Sequence, residues 1–121
     1  NDHSCPSIIS QYVGLEALKG PKDDIEKIKK EFQKRKEFIY FELNKLNNMT
    51  CFKPGGAFYA FPNVSKSGLN GQRFSDIALE EKGVALVPGK SFGETAENFI
   101  RLSYANSMEN LEEAIYRLSF I

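Results

Sequence analysis

The chain has 121 residues, of which 41% are hydrophobic, 26% charged and 12% aromatic, with sixteen basic and sixteen acidic side chains. This is the make-up of one soluble globular domain, large enough to bury roughly two thirds of its unfolded surface in a single core. Zero formal net charge argues against a dedicated nucleic-acid or membrane-surface binder, which needs a basic excess to displace counterions.

No apolar run approaches the roughly 20 residues of a membrane span, and the opening NDHSCPS lacks a signal-peptide pattern. Cys5, Cys51 and His3 are too few and too scattered for a structural zinc site, which needs four ligands at close spacings. A lone histidine also leaves no self-contained Ser/His or Cys/His triad. Two reduced thiols fit a cytosolic protein. The sequons at Asn48 and Asn63 weigh little against that, because such tripeptides arise often by chance.

In chain order, Pro6 opens a short apolar-rich helix through Ile8, Ile9, Tyr12, Val13 and Leu15 to Leu18, which Gly20-Pro21 stops. Asp23 and Asp24 place negative charge at the positive end of a second, long helix that runs to about Leu46. Ile25, Ile28, Phe32, Ile39, Leu43 and Leu46 fall on one stripe of it. Its lysine-rich polar face reads as solvated, with Glu26–Lys30 and Glu31–Arg35 pairs at i,i+4. Thr50–Lys53 and Ala57–Phe61 flank Pro54-Gly55-Gly56 and predict a hairpin.

Phe74, Ile77, Ala78 and Leu79 then mark an amphipathic helix that ends by Gly83. Val84–Val87 reads as a short buried strand, and Phe99–Tyr104 alternates as another. Ser107 is a helix N-cap before Leu111, Ala114, Ile115 and Leu118. The order α-α-β-β-α-β-β-α predicts the α+β class, a small antiparallel or mixed sheet covered by helices on one side.

Gly89-Lys90-Ser91 imitates the end of a phosphate-binding loop, but five residues, not four, separate it from Gly83, and those five form the buried strand. Arg101 is the residue with chemical promise. Inside an apolar strand, an inward guanidinium needs an anionic ligand or a paired carboxylate. Alternation also allows it to face away from Ile100 and Leu102, and periodicity alone favours that outward placement.

Three blocks resemble class I/II pyridoxal-phosphate-dependent aminotransferases, in family order and at about family spacing. They are Pro54–Asn63, the Gly83–Gly93 run with its Val-Pro-Gly-x-x-Phe-Gly ending, and Ile100-Arg101-Leu102-Ser103-Tyr104-Ala105 followed by a helix. Cys5-Pro6-Ser7 through Leu18 looks like the stretch after the family's cofactor-lysine region, so the resemblance covers essentially the whole chain. The bacterial-type aspartate aminotransferases look nearest.

The resemblance implies that residues 1–121 are the C-terminal small domain of such an enzyme, without its large cofactor-binding domain. It implies that Arg101 points into the active site and binds the substrate α-carboxylate. It implies a cytoplasmic, homodimeric parent that uses pyridoxal 5'-phosphate to move an amino group between an amino acid, such as aspartate, and a 2-oxo acid. No cofactor is expected on this fragment. The family's lysine motif is missing: Val64-Ser65-Lys66 with Arg73 has the wrong spacing and the wrong place. Ser4 corresponds to a segment near the neighbouring subunit's cofactor phosphate. Lys90-Ser91 stands where relatives carry small residues. Phe58 and Tyr59 read as hairpin packing. The competing reading is a free-standing α+β ligand-binding or regulatory module without catalysis.

Overall fold

The computed structural model describes residues 5–121; the expectations for His3 and Ser4 lie outside them. The chain divides into two compact units, Asn1–Lys30 and Glu31–Ile121, with the boundary inside the second helix.

In the first unit, α1 (Ile8–Lys19) ends as predicted at Gly20, whose N–H donates to the Glu16 carbonyl at 2.7 Å. Its apolar residues lie on every side rather than along a stripe, and none is buried; Ile9 and Leu18 are 73% and 76% exposed. The second helix, α2 (Asp23–Lys45), begins with Asp23, Asp24 and Glu26 in its first turn. Glu26 pairs with Lys29 at 2.8 Å rather than with Lys30, one of two neighbours a helix brings equally close. The predicted apolar stripe also splits. Ile25 and Ile28 are exposed, whereas Ile39 and Leu43, further along the helix, are fully buried.

The second unit is built on a three-stranded antiparallel sheet in the order β1-β3-β2: β1 (Tyr59–Ala60), β2 (Val87–Pro88) and β3 (Ile100–Ser103). The central strand β3 pairs Ser103 with Tyr59, and Arg101 with Val87. Ile100 and Leu102 point into the core, with Ile39 and Leu43 of α2, Phe74 and Ala78 of α3 (Gly71–Glu80), and Leu111, Ile115 and Leu118 of α4 (Met108–Leu118). Each of these side chains other than Ala78 contributes roughly 1.5–3 kcal/mol on burial. Arg101 and Ser103 alternate to the other face. The result is the expected α+β arrangement, entirely antiparallel. Asn70 and Ser107 cap α3 and α4, their side-chain oxygens accepting from the Arg73 and Asn110 N–H groups.

The predicted hairpin is corrected. Thr50 and Asn63 exchange one antiparallel pair of hydrogen bonds, at 2.9 and 2.8 Å, but Cys51–Lys53 do not continue a strand. Asn44 of α2 takes their place as partner: its Oδ1 accepts from the Cys51 N–H and its Nδ2 donates to the Cys51 carbonyl, both at 2.9 Å. With Lys53 also paired to Glu37 at 2.8 Å, the segment follows the helix. Of the strand expected at Val84–Val87 only Val87 is retained, paired together with Pro88, while the Val84 N–H serves the Ala78 carbonyl at the exit of α3.

Burial pushes the Cys51 thiol up, and a hydrogen bond to the Phe61 backbone offsets only part of that. Burial also pushes up the Tyr104 phenol, which donates to the Ala57 carbonyl at 3.0 Å. Both groups are neutral acids that resist ionisation when folded. Their contribution is therefore complete below the unfolded values, about 8.5 and about 10, and is lost as pH rises beyond them. The thermal midpoint should hold steady between about pH 6 and pH 8 and fall progressively above about pH 9. Cys51→Ala should remove the earlier part of that fall in a pH series of melting curves.

Candidate functional site

Two of the side chains that meet on the outer face of the sheet do so by register. Tyr59 is opposite Ser103, two residues from Arg101, so Tyr59 and Arg101 are diagonal neighbours on one face. The Arg101 guanidinium carbon lies 4.3 Å from the centre of the Tyr59 ring and 4.7 Å from that of Phe92. Both distances are well inside the range of cation–π attraction. Phe92 closes the short 3-10 turn Gly89–Phe92 that follows β2. Phe61 meets it edge-on at 5.9 Å and stacks on Phe99 at 5.2 Å.

Arg101 is half-buried, and among the described residues it forms no ion pair with a carboxylate. The outward placement favoured by alternation is the one observed, but the side chain is not simply solvated. It rests against aromatic surface with its charge unmatched. That arrangement suits one chemistry, the bidentate reception of a planar anion by a guanidinium fork.

Of the other residues considered, Phe58 packs toward α2, 6.1 Å from Phe32, while Tyr59 turns to Arg101. Lys90 pairs with Glu94 at 3.8 Å on the 3-10 turn, and Lys66 stands exposed on another short turn, Ser65–Ser67. Cys51 is buried and Cys5 exposed; among the described residues no group of three metal-ligating side chains gathers. No described helix is long and apolar enough to cross a membrane. A guanidinium between aromatic rings fits a carboxylate. It is not the amine that the aldehyde of pyridoxal phosphate takes.

The roles of Tyr59 and Phe92 beside Arg101 were not read from the sequence. Tyr59 was legible in principle, since the pairing of β1 with β3 fixes which residues share a face. Phe92 was not, because it reaches Arg101 from a turn rather than from a ladder.

The family model for aminotransferase class I and II matches residues 1–118. The chain belongs to the class I and II aminotransferases. It is 38% identical over 117 residues to the aspartate aminotransferase of Pyrococcus abyssi, covering 95% of this chain and 30% of that protein. It is 36% identical over 117 residues to aromatic-amino-acid aminotransferase 2 of Thermococcus litoralis, again covering 95% and 30%. The solved aromatic aminotransferase from Pyrococcus horikoshii superimposes with a TM-score of 0.89 at 38% identity, covering 96% of this chain and 31% of that one. The chain thus spans about 30% of the length of the aminotransferases it matches. Its fold is the matching portion of theirs.

The turn that carries Phe92 depends on Gly89. The Gly89 N–H donates to the Phe99 carbonyl at 2.7 Å, and a Cβ there would collide with the carbonyl oxygens of Ala96 and Phe99. Both obstacles are backbone, so the turn itself must move. Gly89→Ala should cost about 1–3 kcal/mol in denaturant unfolding. It should also shift the aromatic resonances of Phe92 more than the methyl resonances of the core residue Leu118.

Proposed function

We propose that this chain is the C-terminal small domain of a pyridoxal-phosphate-dependent aminotransferase and that Arg101 binds the α-carboxylate of its substrates. The observation that carries this reading is the ring-supported guanidinium on the central strand, in no ion pair among the described residues, within an Ile-Arg-Leu-Ser-Tyr-Ala segment that resembles the family's carboxylate-binding strand. Membership of the family and coverage of about 30% of its enzymes agree with a domain of a longer protein. So does α1, whose apolar side chains are exposed all round here. A helix with no polar face is normally covered, and the remainder of the parent chain is the cover we assign.

The reaction moves an amino group between an amino acid and a 2-oxo acid. Aspartate is the donor we favour, on the names of several relatives; one named for aromatic amino acids marks the main competitor. We place the parent in the cytoplasm as a homodimer, on family resemblance. Both substrates carry a carboxylate next to the reacting carbon, so one arginine serves both directions. Two parallel N–H···O bonds fix the carboxylate plane and with it the orientation of the Cα–H bond. The adjacent rings keep water from the guanidinium and strengthen those bonds. When bound in the parent, the cofactor supplies the electron sink, and the amine that holds it comes from outside this chain.

In the full-length enzyme, Arg101→Lys exchanges a planar fork for a point charge. Hydrogen bonds to charged groups contribute about 1.5–3 kcal/mol, so kcat/KM should fall roughly 10- to 150-fold for the amino acid and the oxo acid alike. Cofactor absorbance should survive. Unchanged kinetics would remove Arg101 from the site. Transamination by the 121-residue chain alone, given added cofactor, would overturn the domain reading.

A further inference from the structure

A carboxylate clamp has to be rigid without being occupied. An arginine side chain carries much rotamer freedom, and the usual way to hold it is an aspartate or glutamate partner. Such a partner would occupy some of the N–H donors and neutralise the charge offered to the substrate. The outer face of this sheet holds the guanidinium differently. Its two near neighbours, Tyr59 and Phe92, are aromatic rings, at 4.3 and 4.7 Å. Ring faces attract the cation through their quadrupole, while the N–H bonds, which lie in the guanidinium plane, stay free.

Phe92 is placed for this purpose more than for packing. It is 51% exposed and belongs to no part of the buried core. Its turn is nevertheless tied down: the Gly89 N–H donates to the Phe99 carbonyl at 2.7 Å and the Gly93 N–H to the Lys90 carbonyl at 3.2 Å. Phe61 braces its ring edge-on, with an interplanar angle of 81°, and is itself stacked on Phe99 at 11°. Phe99 immediately precedes β3, which carries Arg101, so the brace returns to the strand it serves.

We infer that Phe92, braced by Phe61, is a positioning residue that holds Arg101 in its carboxylate-binding rotamer while leaving every donor available. This inference rests on the carboxylate reading of Arg101 given above. It is tested in the full-length enzyme with Phe92→Leu, which keeps apolar bulk but loses the ring, and with Phe92→Tyr, which keeps the ring. Phe92→Leu should raise KM for both the amino acid and the 2-oxo acid by about 3- to 30-fold, with kcat and cofactor absorbance largely kept. Phe92→Tyr should restore KM to within about twofold of the parent value. On an Arg101→Lys background, Phe92→Leu should change kcat/KM little further, because its effect passes through Arg101.

An unaltered KM in Phe92→Leu overturns the inference, as does a lowered melting temperature with KM unchanged, which marks a structural role only. A full KM increase on the Arg101→Lys background also overturns it, because Phe92 would then touch substrate directly. If Arg101→Lys by itself leaves kcat/KM unchanged, the carboxylate reading has failed and the positioning role falls with it. If Arg101→Lys is impaired and Phe92→Leu is not, only the positioning role falls. Should Phe92→Leu yield no soluble protein, Phe61→Leu tests the same brace. It should move KM in the same direction by a smaller factor, and no movement overturns the inference.

Discussion

The outer face of the sheet is organised by one requirement: a guanidinium must be held still while its hydrogen-bonding capacity is kept in reserve. Aromatic surface meets both conditions where an acidic partner would meet only the first. Tyr59 and Phe92 touch the cation, and Phe61 and Phe99 stand behind Phe92. The guanidinium is therefore left without a counter-charge among the described residues. In a protein that only had to fold, that would bring little benefit.

The opposite face supplies the rigidity. Ile100 and Leu102, on either side of Arg101, are sunk among helical residues of α2, α3 and α4, and β3 is hydrogen-bonded on both edges. A side chain on a central strand backed by a close-packed core has a well-fixed Cα. The carbonyl of Phe99 adds a second point of order. It accepts from Gly89, and a side chain at either Gly71 or Gly89 would collide with it. Two glycines thus let the start of α3 and the turn bearing Phe92 close on the same stretch of backbone. Core, sheet and aromatic brace meet there.

Much of this was legible in the sequence, and the misses share a cause. Helix ends were marked by local chemistry: Gly20-Pro21, the acidic first turn at Asp23, and Ser107 as a cap whose oxygen does accept from Asn110. Each depends on residues a few positions apart. The hairpin expected across Pro54-Gly55-Gly56 was a reasonable reading of β-prone segments, but Asn44 from a helix claimed the backbone of Cys51. Nothing local at Cys51 indicates that competitor. Ile25 and Ile28 share a stripe with Ile39 and Leu43, yet only the latter pair is buried, because periodicity defines a face and not what covers it.

Arg101 shows where the boundary lies. Length, composition and charge set the expectation of a globular α+β fold; alternation placed Arg101 opposite Ile100 and Leu102, and the motifs around it carried the family. Those follow from sequence because periodicity, capping and motif spacing are local along the chain. The tertiary structure decided that the outward-facing guanidinium rests on aromatic surface rather than standing free in solvent. Tyr59 and Phe92 come from two other segments, and only strand pairing and the close approach at Gly89 bring their rings to the guanidinium, with Phe61 behind Phe92. Whether a charged residue is idle or poised depends on neighbours distant in sequence, and folding alone assembles them.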